Sequence, residues 1–169
     1  DMLRGNLVWG LLTDNVKMSD GKGIFDATHG NLLTGASSAL SEESLAAAKT
    51  AMMKQKDIAG QIIRMVPRYL IVSPENEMMA KKLVTATTPV KFEDVNVFAG
   101  AFDVIVEPRL TDPKAWYLMA DPYAVDSLYY AYLEGNEGLR VDSTEEFKTD
   151  SMDYAVRGDF GAAAIDYRG

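Results

Sequence analysis

Residues 68–86, RYLIVSPENEMMAKKLVTA, contain the two local patterns that decide the fold. The run 68–72 is rich in β-branched and aromatic side chains, which favours a strand. Ser73-Pro74-Glu75 then supplies a cap, a proline in the first turn and an acid near the positive end of the helix dipole. The sequence therefore predicts a strand followed directly by a helix that ends near Ala86.

Upstream of this unit, residues 41–57 have the clearest helical pattern in the chain. Ser41 can accept a hydrogen bond from an unpaired amide of the first turn, and two acids follow it at the positive end of the dipole. The alanine-rich centre has high helix propensity. We expect Leu45 to lie on the buried face and Gly60 to supply the stop.

The first 40 residues divide into a helical segment and a long connection. Apolar side chains recur at helical spacing over residues 3–16, although Gly5 and Gly10 each cost about 1 kcal/mol relative to alanine. Residues 17–40 are rich in Gly, Ser, Thr, Asp and Asn, which is typical of a loop. Connections of this length are usually functional or mobile.

Downstream of residue 95 the apolar pattern changes to period two, which predicts strands. The candidate strands are 102–107, 115–120, 128–133, 139–143 and 147–157. Residues 134–138, EGNEG, have the turn chemistry for a reversal between two strands. Because helices fill the first half and strands the second, the sequence predicts an α+β fold rather than a doubly wound one.

Composition excludes several classes of function. The 169 residues are 47% apolar, include no Cys and carry a net charge of −8, which suits one domain or two small lobes. Without Cys there is no disulfide framework and no thiolate metal site. The acidic balance argues against sequence-specific nucleic-acid binding and against anionic membranes. The apolar run 7–12 is too short to span a bilayer.

The search for catalytic chemistry gives one weak candidate, the single histidine. His29 could act as an acid or base if Asp26 orients its imidazole. No second histidine or nucleophile motif completes such a site, so we predict no catalytic, cofactor-binding or metal-binding residue. The alternative that stays open is a small α+β enzyme that uses His29 under a lid formed by residues 17–40. A tail-tube or decoration subunit is a third hypothesis, which the helix at 41–57 disfavours.

Aromatic and arginine side chains supply candidates for subunit contacts. Tyr130 and Tyr132 share one face of a predicted strand and Tyr129 lies on the other. Tyrosine combines apolar area with a polar tip, which suits a core or a subunit interface. We predict Tyr129, Arg109 and Arg157 as interface residues.

Motifs in order along the chain resemble those of the major head subunits of Mu-like phages and prophages, the T protein family. The motifs are LVW (7–9), SDGK (19–22), THGN (28–31), PRYLIV (67–72), VEPRL (106–110), AWYLMADP (115–122), YAYLEG (130–135) and VRGDFGAAAIDYRG (156–169). The resemblance therefore covers almost the whole chain.

The resemblance implies a tailed-phage major capsid protein with the Hong Kong 97-like fold, in which a peripheral domain carries a spine helix and long strands. Residues 1–66 would supply peripheral-domain helices and a connecting loop, with the helix at 41–57 as the spine. Residues 67–125 would form mainly the axial domain, and residues 126–169 would return to the peripheral domain. The amino-terminal arm and extended loop of the family are not evident, so we expect the sequence to start inside a longer polypeptide.

The resemblance also implies the function and the partners. Such a subunit self-assembles into pentamers and hexamers that enclose the genome, with no enzymatic activity and no cofactor. Scaffold, prohead protease and portal proteins would be further partners. The protein would lie in the virion capsid, and in the host cytoplasm during assembly.

Overall fold

The strand predicted at residues 68–72 is confirmed as β1, the centre of the main sheet in the computed structural model. The structure describes residues 2–85, 98–146 and 150–169. The helices are α1 (Met2–Thr13), α2 (Glu42–Met53) and α3 (Glu77–Val84), and single 3-10 turns occupy Gly35–Ser38 and Pro74–Asn76. The strands are β1 (Pro67–Val72), β2 (Asp103–Val106), β3 (Trp116–Ala120), β4 (Leu128–Tyr132), β5 (Arg140–Glu146), β6 (Ser151–Arg157) and β7 (Phe160–Ala164).

The main sheet has three strands in the order β2-β1-β3. β1 pairs in parallel with β2, so that Leu70 lies opposite Val104, and it pairs antiparallel with β3. Parallel neighbours require a crossover connection, and α3 lies in that connection between β1 and β2. Leu70, Ile71 and Val72 are all buried, as expected for the central strand of a covered sheet.

The hydrophobic core lies between this sheet and helices α2 and α3. Its buried members are Leu40, Leu45, Leu70, Val72, Ala80, Phe98 and Phe102. Full burial of a large apolar side chain stabilises the fold by about 1.5–3 kcal/mol, so this cluster contributes several kcal/mol to the stability of the subunit. The Trp116 indole packs at its edge and donates a hydrogen bond to the Ser38 carbonyl at 2.7 Å.

The prediction that Ser41 caps α2 is confirmed, and the cap is reciprocal. The Ser44 amide donates to the Ser41 hydroxyl at 3.2 Å, while the Ser41 amide donates to the Ser44 hydroxyl at 2.9 Å. The helix ends at Met53, however, four residues before the predicted end at 57. Gly60 does not stop the helix, because it lies at φ +82° in a separate turn that follows it.

The helix predicted after Ser73 is confirmed, but Ser73 does not cap it. A 3-10 turn precedes α3, and the fully buried Ser73 hydroxyl donates to the Pro113 carbonyl at 3.0 Å. The hydroxyl therefore joins β1 to the loop before β3 instead of satisfying a helix amide. α3 ends at Val84, and the predicted helix end near Ala86 lies outside the described residues.

The last four strands form two separate antiparallel pairs. β4 pairs with β7, and β5 pairs with β6. The turn predicted at 134–138 is present, and in it the Asn136 amide donates to the Leu133 carbonyl at 2.9 Å, but the two strands that it joins, β4 and β5, are not paired with each other. The strand predicted at 147–157 begins at Ser151, and residues 147–149 lie outside the described part of the chain.

The amino-terminal region contains the helix and the long connection that its sequence pattern predicts. The helix predicted at 3–16 is α1, and it packs against β7 from the far end of the chain. The predicted connection at 17–40 is confirmed as turns, one 3-10 turn and an isolated bridge between Lys17 and Gly23. The mixture of helices and sheets agrees with the α+β class.

Candidate assembly surface

The β5–β6 ribbon, by which we mean the two antiparallel strands Arg140–Glu146 and Ser151–Arg157, has one apolar face. Val141 lies opposite Val156, Ser143 opposite Tyr154 and Glu145 opposite Met152, so these six side chains share one face. The four large apolar members of this face are all exposed, Tyr154 to 68%. The face therefore has the apolar composition of a core, but among the described residues no layer covers it.

The opposite face of the ribbon is charged and largely neutralised. The Asp142 carboxylate lies 3.2 Å from Nε of Arg140 and 3.8 Å from Nε of Arg157. The two strands pack chiefly against each other rather than against other elements. An isolated two-stranded hairpin is only marginally stable in water, so this ribbon is suited to be completed by another surface.

A second exposed apolar element, which we call the Ile58 turn, covers residues 54–66. Its backbone is fixed by hydrogen bonds: the Asp57 carboxylate accepts from the Gln61 amide at 2.7 Å, and the Ile63 amide donates to the Gln55 carbonyl at 2.9 Å. Ile58 at the tip is 97% exposed, and Ile62 and Val66 are also exposed. A rigid turn thus presents an isoleucine to solvent.

The aromatic side chains predicted to share a face of β4 do so. Tyr130, Tyr132 and Phe160 form a cluster with ring centroids 5.5–6.1 Å apart. Arg4 of α1 covers part of it, with its guanidinium carbon 5.2 Å from the centre of the Tyr132 ring. This face therefore holds α1 against the β4–β7 pair.

The three predicted interface residues lie in different places. Tyr129 is exposed on the face of β4 opposite that cluster. Arg157 is exposed on the charged face of the ribbon. Arg109 pairs with the buried Glu107 at 3.0 Å and lies against α1 at Gly5, so it has a role within the subunit. Their participation in an interface stays a prediction.

His29 is held by contacts on both ring nitrogens and on one ring face. Nε2 donates to the Asp20 carboxylate at 2.8 Å, and Nδ1 lies 3.2 Å from the Ile24 carbonyl. The Tyr167 ring stacks on the imidazole at 3.8 Å and an angle of 5°. The residue is 8% exposed. This geometry ties the 17–31 segment to the carboxyl-terminal segment of the chain.

The enzyme hypothesis pairs His29 with Asp26, and this pairing is wrong. Asp26 accepts hydrogen bonds from the amide and hydroxyl of Thr28 instead, and these bonds lower the pKa of its carboxyl. Asp20, nine residues away in sequence, contacts the imidazole, and the hydrogen bond from His29 lowers the pKa of the Asp20 carboxyl. Spacing alone could not identify Asp20, because the loop fold brings it to the ring.

A cavity of about 510 Å³ lies between α1, α2, β3 and the carboxyl-terminal segment. Its lining includes Met52, Asp112, Trp116, Tyr117 and Tyr167, but not His29. Burial raises the pKa of the Tyr117 hydroxyl, and Asp112 adds to the shift. The cavity therefore does not gather the imidazole and a carboxylate, which the enzyme hypothesis requires. Within the described ranges, no three His, Asp or Glu side chains converge on a metal site.

Large apolar side chains are exposed on the ribbon, on the Ile58 turn and on several other elements, and the contacts of His29 hold two segments of the chain together. Such a distribution is typical of proteins that bind other proteins. The sequence model of a family described as phage capsid protein matches residues 3–169, almost the entire chain, and the protein belongs to this family. No curated protein and no solved structure matches the chain.

Membership of a capsid family supports a structural role in the phage capsid, association with other capsid subunits and a location in the virion shell. None of the helices in the described segments is long and apolar enough to cross a membrane.

Proposed function

We propose that this protein is the major head subunit of a Mu-like phage or prophage, with the Hong Kong 97-like division into peripheral and axial domains. The family match over residues 3–169 carries the capsid role. The ordered motifs that resemble Mu-like head subunits support the finer assignment. In this proposal, copies of the chain form pentamers and hexamers that close into an icosahedral shell around the genome.

The distribution of exposed apolar side chains supports self-association. Several lie on the ribbon, beside it or on the Ile58 turn: Ile58, Ile62, Leu139, Val141, Met152, Tyr154 and Val156. Solvent exposure of this much apolar area is costly in a monomer and favourable once a neighbour covers it. Many modest symmetric contacts of this kind add up to a stable shell.

The wider assignment includes scaffold, prohead protease and portal proteins as partners, and the host cytoplasm as the place of assembly. It involves no cofactor and no catalytic residue, and the net charge of −8 suits a shell wall that does not grip the DNA phosphates.

Electron microscopy tests the proposal. The complete gene product that contains this sequence is expressed with and without its scaffold, and the fractions are separated by gradient centrifugation. We expect closed particles of uniform diameter. A monodisperse monomer under both conditions, or an open tube, would contradict the capsid assignment.

A further inference from the structure

The β5–β6 ribbon and the Ile58 turn both have exposed apolar side chains, and their net charges have opposite signs. We propose that the apolar face of the ribbon of one copy binds the Ile58 turn of a second copy. This inference rests on the proposed function and deepens it, because it names the two surfaces through which neighbouring subunits meet.

The apolar part of the proposed contact sets one highly exposed isoleucine against a group of exposed apolar side chains. The Ile58 side chain projects from a turn whose backbone is already fixed by hydrogen bonds, so its burial costs little conformational entropy. The ribbon offers four large exposed side chains on one face, with Tyr154 near the middle. Tyrosine is a frequent anchor at the centre of protein interfaces.

The charges around the two surfaces have opposite signs. Residues 54–66 contain three basic side chains and one acid, a net charge of +2. Residues 134–159, the ribbon with its flanking segments, contain eight acids and three basic side chains, a net charge of −5. Opposite fields of this kind direct association and select against contact between two ribbons or two turns.

The charges of the turn are available for such a contact. Lys54, Lys56 and Arg64 are exposed, and none of them forms an ion pair with a carboxylate in the described ranges. On the ribbon, Glu145 lies on the apolar face itself, beside Met152. The lysines of the turn would meet this carboxylate when Ile58 reaches the apolar side chains.

Two different surfaces in one contact make the interface heterologous. Each subunit then donates one ribbon and accepts another on its turn, and repetition of the same rotation generates a ring when that rotation closes. A contact between identical surfaces would instead stop at a dimer. The proposed pairing therefore supplies the type of contact that a pentamer or hexamer needs.

Cysteine crosslinking tests the pairing directly, because the chain has no Cys of its own. The complete gene product carries Ile58→Cys together with Tyr154→Cys and is oxidised under assembly conditions. We expect a ladder of disulfide-linked oligomers under denaturing conditions. The matched control combines Ile58→Cys with Tyr123→Cys, since Tyr123 is 99% exposed but lies outside the ribbon; this control is expected to give no ladder.

Other outcomes overturn the pairing. A double variant that crosslinks no more than the control, or only within one chain, excludes the proposed contact. Dimers from Tyr154→Cys alone would mean that two ribbons face each other. A ribbon thiol that crosslinks only to scaffold or to a decoration protein would assign the surface to that partner.

Charge reversal separates this inference from the capsid assignment. Lys56→Glu and Glu145→Lys are each expected to weaken association about tenfold, since an attraction becomes a repulsion, and their combination is expected to restore it. If both single variants form normal shells, the pairing is wrong and the capsid function stands. If the wild-type product never forms oligomers under any condition, the proposed function fails and the pairing fails with it.

Discussion

At the scale of single residues, a few polar side chains hold segments that are far apart in sequence. Arg68 on β1 pairs with Asp121, which follows β3, and lies 3.5 Å from Asp103 on β2. Asn31 donates to the Tyr167 carbonyl at 3.1 Å across 136 residues. These contacts are weak individually, but they fix how strands and loops meet.

Asp121 leads to a prediction about pH. The hydrogen bond from the Tyr123 amide and the contact with Arg68 lower the pKa of the Asp121 carboxyl. The pKa of the Asp121 carboxyl is lower in the folded state than in the unfolded state. The stability that Asp121 contributes is therefore fully present above the unfolded-state pKa and is lost as the pH falls through the folded-state pKa. Asp121→Asn is therefore expected to be less stable than wild type at pH 7, and this deficit is expected to shrink as the pH falls below 4.

Urea unfolding at pH 7, 4 and 2 checks this expectation. Glu134→Gln is the control, because Glu134 is exposed and has no ion-pair partner among the described residues. A deficit in Asp121→Asn that stays constant across the pH range would contradict the argument.

At the scale of elements, features set by neighbouring residues were predicted from the sequence, whereas features set by tertiary contacts were not. The capping of α2 by Ser41 follows from adjacent residues and was predicted. The end of α2 at Met53 was not, because the turn that follows satisfies its own backbone through Asp57 and Gln61. The pairing of β4 with β7 was also missed, since its partners are about thirty residues apart and the ribbon is inserted between them.

Helix α1 gives a prediction through its two glycines. At Gly10 a Cβ atom would lie 3.7 Å from the Asp14 carboxylate, an ordinary contact, whereas at Gly5 it would lie 2.8 Å from the Arg109 guanidinium. Gly10→Ala is expected to raise the free energy of unfolding by about 0.5–1 kcal/mol. Gly5→Ala should raise the free energy of unfolding by less than Gly10→Ala does. The added Cβ atom would force Arg109 to move, which weakens the ion pair of Arg109 with the 7% exposed Glu107.

A double-mutant cycle measures this coupling. In an Arg109→Ala background the two alanine substitutions are expected to have equal effects on the free energy of unfolding. A difference between them that survives the loss of Arg109 would assign the cost at Gly5 to another contact.

At the scale of the whole molecule, the surfaces that fold the subunit and those available to bind a neighbour are separate. The core centres on β1, while the ribbon and the Ile58 turn have exposed apolar side chains. A substitution in the core should therefore change the stability of the subunit more than its association. A substitution on the ribbon or the Ile58 turn should change association and leave subunit stability largely unchanged.

This separation is testable with two variants. Leu70→Ala removes a fully buried core side chain and is expected to lower the free energy of unfolding of the subunit by about 3 kcal/mol. Val156→Ser, on the exposed face of the ribbon, is expected to change it by less than about 0.5 kcal/mol and to reduce association. Chemical denaturation of the isolated subunit and gradient centrifugation measure the two properties. A large loss of subunit stability in Val156→Ser would show that the ribbon packs on the core.

The sequence by itself determined the α+β class, the strand–helix unit at 68–84, the Ser41 cap and the two-sided pattern of the last strands, because caps and periodicity depend on neighbouring residues. It also carried the motifs of a capsid subunit. The tertiary structure alone decided which strands pair, which carboxylate holds His29 and which apolar faces stay exposed. These depend on contacts between distant segments, whose free energy is set by the folded geometry and not by local propensity.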